Sequence, residues 1–296
     1  MKIKLFGSGD KFFYFCITVI LTLVLLAVLY PCIFVVSASF SSGEAVQAGK
    51  VYLLPVQLSL EGYKTVFRTK DIWVGFANSV FYTVVGTCIN MVVTMLCAYP
   101  MSRKDLPGRS GFMLYFVFTM FFSGGLIPTY LVIRQLGLIN TRWVLLLPGA
   151  MSVYNMIVAR TFLQNSIPEE LLDASRIDGC SDAKYLLRVV LPLSKAVLAV
   201  LVLFYAVGHW NQYLSAMIYL HDPDLYPLTI FLKEILMADK IDPSTVTDPE
   251  IQEKLAQYAG VIKYALIVVS MIPILIIYPF IQKYFVKGVM IGSVKG

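Results

Sequence analysis

Apolar runs long enough to cross a lipid bilayer set the limits on what this chain can become. A membrane helix needs roughly 20 mostly apolar residues to cover about 30 Å of hydrocarbon. Six segments of the 296-residue chain fit that description: 12–38, 73–99, 112–132, 143–163, 191–220 and 261–285. Composition agrees, since 58% of the residues are hydrophobic and only 14% charged, too little polar surface to dress a globule in water. Pro31, Gly86, Gly124, Gly125, Pro128, Gly149, Gly208, Pro273 and Pro279 fall inside the runs. Membrane helices tolerate such residues where neighbouring helices or water satisfy the freed backbone groups. Gly124–Gly125 and Pro128 mark either the end of the third span or a kink within it. The first run follows Lys2, Lys4 and Lys11 and continues to about Phe40, far longer than the apolar core of a signal peptide. It is expected to be retained as a span. The fold class expected is all-α, a polytopic membrane protein with six transmembrane helices forming a single domain over 1–296.

The formal net charge of +6 does not point to nucleic acid, because no Lys/Arg cluster is interleaved with aromatics. Basic residues lie instead at the ends of apolar runs. With the N-terminus inside, 14 of the 24 Lys and Arg face the cytoplasm, including Arg103, Lys104 and Arg109 in the short connection 100–111. Both termini are therefore expected to be cytoplasmic, with external loops 41–72 and 221–260. The second loop carries eight acids: Asp222, Asp224, Glu234, Asp239, Asp242, Asp248, Glu250 and Glu253. Their spacing is not that of a calcium loop, and they form either a solvated face or a docking surface for an external partner. Periodicity around Pro249–Gly260 predicts a short amphipathic helix. Cys16, Cys32, Cys88 and Cys97 lie in apolar runs and Cys180 in a polar connection, so neither a disulfide framework nor a metal site is expected.

The most informative segment joins the fourth and fifth spans, Ser166–Ser194, reading SIPEELLDASRIDGCSDAKYLLRVVLPLS. Pro168 suits the first turn of a helix, and Glu169 and Glu170 place negative charge at the positive end of its dipole. Gly179 sits where a left-handed C-cap is wanted. Ser181 before Asp182 caps a second helix running toward Pro192. The first helix, about eleven residues, is too short to be stable alone. It presents Ala174 and Ser175 beside Leu171 and Leu172. From the residues alone, it is either a lever for a partner protein or an amphipathic helix lying on the lipid surface.

The segment resembles the EAA loop of permeases in binding-protein-dependent ABC importers: EAA, three residues, Gly, nine residues, then Ile-x-Leu-Pro. This chain has Asp173-Ala174-Ser175, Gly179, and Val189-x-Leu191-Pro192 at matching spacing, with Asp for Glu at 173, Ser for Ala at 175 and Val for Ile at 189. Six spans, a long first external loop and this connection are similar to the smaller maltose-system permease. FSGGLIPTYLVIRQLGLIN (122–140), NMIVARTFLQ (155–164) and FYAVGHWNQYLSAMIYL (204–220) resemble the LplC-type branch, associated with uptake of oligosaccharides and related glycans. The resemblance implies the transmembrane domain of a type I ABC importer in a bacterial inner membrane, with a cytoplasmic coupling loop over 164–190. It implies that Asp173, Ala174, Ser175, Arg176, Asp178 and Gly179 couple to an ATPase. The expected partners are a second homologous permease, two ATPase subunits, an extracellular solute-binding protein and membrane lipid. This chain has no G-x-x-x-x-G-K-[ST], so ATP and Mg are expected on the partner ATPase and no cofactor or catalysis on this chain.

Sugars need hydrogen-bonding side chains and aromatic faces. His209, Trp210, Asn211, Gln212 and Tyr213 in the fifth span, with Tyr154 and Asn155 in the fourth, are the candidates to line the path, since polar groups at membrane depth face a bundle or water. His209, Gln212 and Tyr213 fall at spacings that share a helix face. The competing account is helix–helix hydrogen bonding or an interfacial aromatic belt. An ion-coupled secondary transporter of small polar solutes is the alternative, disfavoured because the spans hold almost no ionisable residue besides His209.

Overall fold

The computed structural model of the chain describes residues 8–238 and 262–293. The amphipathic helix expected around Pro249–Gly260 and the acids Asp239, Asp242, Asp248, Glu250 and Glu253 lie outside them. Among the described residues every regular element is helical, and the one backbone bridge outside helices joins Ser41 and Leu58. Among the described residues three helices are long and apolar enough to cross a membrane in one piece: Lys11–Ser39, Lys70–Ser102 and Ile262–Pro279. Two helix pairs reach that length and hydropathy only together and are sharply bent, Arg109–Phe121 with Leu126–Gln135 at 111°, and Asp182–Leu193 with Lys195–Trp210 at 85°. The break in the first pair falls at Phe122–Gly125, where Gly125 has φ +80°, so the glycines end one helix rather than kink it.

The fourth crossing, expected as one helix over 143–163, is a composite. A 3-10 turn, Arg142–Leu145, leads through Pro148 and Gly149 to a helix of 14 residues, Val153–Ser166. That helix is about 21 Å long, short of the hydrocarbon thickness. Proline has no amide hydrogen to donate and glycine loses more entropy than any other residue in a helix, so the Pro148–Gly149 pair blocks regular structure.

Contacts gather the chain into two compact units, Met1–Thr69 with Leu232–Met271, and Lys70–Phe231 with Ile272–Gly296. In the first, α1 (Ser8–Ser39) exposes its apolar surface along the whole of its spanning window, as a lipid-facing helix does. Its last turn changes character. Ser37 donates to Leu53 O (2.7 Å), Ser39 pairs with the Tyr63 hydroxyl (2.8 Å), and the Ser41 hydroxyl accepts from Val56 N (3.0 Å). These serines pin the segment that holds α2 (Gly43–Gln47) and α3 (Glu61–Arg68).

The second unit is built on α4 (Lys70–Ser102), which packs against α7 (Val153–Ser166) and α11 (Lys195–Trp210); α5 (Arg109–Phe121) and α6 (Leu126–Gln135) precede them, and α8 (Glu169–Ile177), α9 (Asp182–Tyr185) and α10 (Leu191–Leu193) lie between. Beyond α11 come α12 (Leu214–Tyr219) and α13 (Leu228–Ala238), the latter within the loop expected over 221–260, and then α14 (Ile262–Ser293). Along one face of α4, Asn78, Ser79, Thr83, Thr87, Asn90 and Thr94 are buried. Several groups of this helix serve the backbone of the short 3-10 turn Pro223–Leu225 and of the residues after it. Asn78 Nδ2 donates to Asp224 O and Tyr226 O (2.7 and 3.1 Å), the Tyr82 hydroxyl donates to Leu225 O (2.8 Å), and Ser79 Oγ accepts from Leu228 N (2.9 Å). Asn78 Oδ1 in turn accepts from Arg142 Nη2 at 3.2 Å.

Replacing Asn78 with Leu keeps the branching of the side chain and strands these carbonyls. Each stranded group costs about 1–3 kcal/mol, so a thermal melt of the purified protein in detergent is expected to show N78L clearly less stable, while Val84→Leu, on an exposed stretch of the same helix, melts like the parent.

Candidate functional site

The connection between α7 and α11 forms as its residues dictate, with two adjustments. Pro168 stands at the N-cap of α8 (φ −61°, ψ 142°), one residue outside the first turn, and Glu169 and Glu170 occupy that turn. At the other end Gly179 N donates to Arg176 O (3.0 Å) and Cys180 N to Ser175 O (2.8 Å), with Gly179 at φ +69°. This is the full Schellman pattern, and it needs a residue that accepts left-handed backbone. Nothing lies within 4 Å of where a Cβ at Gly179 would sit, so backbone conformation, not space, makes glycine the residue here.

The second adjustment concerns the face α8 presents. Leu171, Leu172, Ala174 and Ser175 do not form one surface. Leu172 packs against the buried cluster containing Leu163 and Tyr185, and Ser175 is half-buried with its hydroxyl on Leu172 O. Leu171, Ala174, Ile177 and Asp178 face outward, Ile177 with 86% exposure. Helical periodicity separates neighbours i and i+1 by about 100°, so adjacent residues cannot share a face. Beyond the cap, Ser181 Oγ accepts from Lys184 N (3.4 Å), as its position predicts. A π turn, Leu186–Val190, then precedes Pro192, where the missing amide hydrogen interrupts regular pairing.

A cleft of about 720 Å³ lies between α8 and the connection after α4, lined by Arg103, Lys104, Asp105, Glu169, Asp173 and Arg176 among others. Asp105 receives a forked pair from Arg103 (3.0 and 2.7 Å) and a bond from Arg176 (2.8 Å). Arg103 also lies 3.5 Å from Asp182, and Lys104 2.9 Å from Glu169. The Arg103 guanidinium and then that of Arg176 hold the Asp105 carboxyl well below the usual carboxylate range. A depressed carboxyl favours the paired state above that range and loses it as pH falls through the folded value, so these pairs persist throughout physiological pH. In the sequence Arg103 and Lys104 speak only to orientation. The charged run 103–105 is visible there, but its meeting with Glu169 and Arg176 of α8 and Asp182 of α9, 65 to 79 positions away, is not.

The candidates at membrane depth divide by exposure. The α11 helix ends at Trp210, and the chain turns at Asn211 (φ −91°, ψ 10°), so the fifth span is not continuous through 220. His209, Gln212 and Tyr213 therefore do not share one helical face. His209 is buried, its Nε2 2.6 Å from Asn90 Oδ1 and its Nδ1 3.4 Å from Gln212 Oε1. Asn90 Nδ2 donates to Gly149 O (2.6 Å) and Gln212 Nε2 to Leu145 O (3.3 Å). A Cβ at Gly86 would overlap the His209 ring. Trp210 is buried edge-on to Phe76, at 5.9 Å between centroids, and the Tyr213 hydroxyl donates to Met217 Sδ. Asn155 is buried as well. Asn211 and Tyr154 are exposed, Asn211 bonded only to Val207 O of its own helix among the bonds described (3.0 Å).

An exposed apolar helix, a bundle of interrupted helices and a capped short helix bound to charged loops suit a subunit of a membrane transport system. The chain belongs to the family described as the binding-protein-dependent transport system inner membrane component, which it matches over residues 2–291. It is 43% identical to the polygalacturonan/rhamnogalacturonan transport system permease protein YtcP of Bacillus subtilis, over 90% of this chain and 92% of that one. It is 38% identical to Protein LplC of the same organism, over 90% and 89%. Among solved structures it resembles a chain of a bacterial ABC transporter involved in the import of the acidic polysaccharide alginate, with TM-score 0.86 and 34% identity, covering 96% of this chain and all of that one. Family membership places it in the bacterial inner membrane and sets aside the ion-coupled alternative.

If the Gly179 cap holds the coupling helix, the ranking of substitutions follows backbone freedom, not size. Gly179→Asn, which tolerates left-handed backbone, is expected to keep transport-linked ATPase activity in the reconstituted importer, whereas Gly179→Val is expected to lose most of it.

Proposed function

We propose that this chain forms one half of the translocation pathway of an ATP-driven importer of acidic oligosaccharides. It assembles with a second homologous permease and two ATPase subunits, engages an ATPase through α8, and receives cargo from an extracellular solute-binding protein. Both termini face the cytoplasm. ATP and Mg bind the ATPase, since this chain has no phosphate-binding loop of its own. The observation that carries the reading is the outward ridge of Leu171, Ala174 and Ile177 on a helix whose two ends are fixed, a short rigid projection that suits a cleft in another protein. The cargo class rests on the descriptions of two similar proteins, one naming polygalacturonan and rhamnogalacturonan, the other the acidic polysaccharide alginate.

The path is proposed to run past the two interrupted crossings, at 146–152 and 211–213. Unwound backbone at membrane depth is tolerated where protein buries it or water reaches it. His209, Gln212 and Asn90 join these breaks; Asn211 and Tyr154 remain accessible to cargo. Trp210 and Asn155 support the same region from within.

Co-purification in detergent, followed by uptake of an oligogalacturonate into proteoliposomes, tests this. Recovery with a homologous permease and ATPase subunits is expected, with uptake that needs ATP. Asn211→Ala is expected to lower uptake several-fold at normal assembly, while His209→Ala lowers the yield of assembled complex. Uptake by this chain alone, with no ATPase present, would sink the reading.

A further inference from the structure

We propose that Asp105 is a positioning residue that fastens the coupling helix α8 to the end of α4, so that a displacement of α8 reaches α4 directly and not only through the chain connecting them. This rests on the reading of α8 as the ATPase-coupling element.

A lever that seats in a partner's cleft is pushed and pulled. Apolar packing through Leu172 resists a push, but a pull needs an attachment that opposes separation. The attachments lie where a pull requires them. Glu169 and Arg176 are seven residues apart, two turns of one face, so Lys104 holds the beginning of α8 at 2.9 Å and Asp105 the end at 2.8 Å. The forked bond from Arg103 fixes the Asp105 carboxylate, and the same guanidinium reaches Asp182, at the first residue of α9. Arg103 thus grips the chain on both sides of the Gly179 turn, one side through Asp105 and Arg176.

The other end of the strut is anchored. Residues 103–105 follow the last turn of α4, whose final carbonyls are capped from neighbouring helices. Arg160 Nε donates to Met101 O (2.9 Å), Gln164 Nε2 to Ser102 O (3.2 Å), and Arg109 Nη1 to Arg103 O (3.2 Å). Arg103 also donates to the Tyr99 hydroxyl (3.0 Å). Isolated surface pairs count for little. Here, however, one carboxylate is shared by two guanidiniums, and the Arg103 side chain is only 14% exposed. That makes a network, in which Asp105 joins Arg176 of α8 to Arg103, and Arg103 in turn bonds Tyr99 of α4.

The test is hydrogen exchange on the complete transporter, with and without ATP–Mg and vanadate, in the unaltered protein, Asp105→Asn and Asp105→Glu. In the unaltered protein, nucleotide is expected to change protection in both 169–177 and 98–103. In D105N the change in 169–177 is expected to remain while that in 98–103 falls at least threefold, and D105E restores it. A full response at 98–103 in D105N overturns the strut, as does loss of both responses together. Absence of any response at 169–177 in the unaltered protein overturns the coupling role of α8, and the strut with it. ATP hydrolysed per oligogalacturonate taken up gives an independent readout: a rise of threefold or more in D105N is expected, and an unchanged ratio counts against the proposal.

Discussion

Non-helical backbone at membrane depth has no water to bond with, and the second compact unit of this protein is organised around satisfying it. Two stretches break helical pairing there: the turn through Pro148 and Gly149, and the turn at Asn211–Tyr213. The first receives Asn90 of α4 on Gly149 O, with Gln212 Nε2 on Leu145 O beside it. The second receives Thr229 Oγ1 on Gln212 O at 2.9 Å, and His209, which Asn90 holds, precedes it. Asn78 and Tyr82 of α4 donate to the carbonyls of 224–226. Without such donors a broken segment in hydrocarbon would carry stranded polar groups, at a cost of several kcal/mol apiece. Asn78, Tyr82 and Asn90 are therefore conditions for the segments they bond.

The segment between α7 and α11 solves a different problem with local means. Nine residues make too short a helix to persist on propensity alone. Its carbonyls are closed by the Gly179 turn, its dipole is met by Glu169 and Glu170, and its inner face is held by Leu172. Each contribution is modest, and together they leave Leu171, Ala174 and Ile177 projecting without being needed for folding.

The apolar helices were legible in the amino-acid sequence, because hydrocarbon thickness translates directly into run length. The first, second and sixth runs hold continuous helices, and the third and fifth overlap bent pairs. Hydropathy is blind to the bends, since it averages over the window in which Gly125 or Ser194 interrupts the helix. It also counts 143–163 as one run, although Pro148–Gly149 is a local signal that the helix cannot start before it. The Gly179 cap was legible because a Schellman turn is written in consecutive residues. The Asp105–Arg176 pair was not, because its members are 71 positions apart and nothing local says that they meet.

His209 and its neighbours illustrate why residue type alone does not assign a role at membrane depth. A polar side chain there is either accessible to cargo or buried against another polar group, and the same composition serves both. Exposure separates them: His209 is committed to Asn90 and Gln212, whereas Asn211, two residues on, looks outward. The energies differ as well. Breaking the buried network leaves unsatisfied groups at about 1–3 kcal/mol each, while an exposed ion pair such as Lys104–Glu169 costs about 0–1 kcal/mol to open. Among the charged contacts of α8 the same distinction separates the lone, exposed Lys104–Glu169 pair from Asp105, whose carboxylate two guanidiniums share. A polar contact is worth what its surroundings deny it elsewhere.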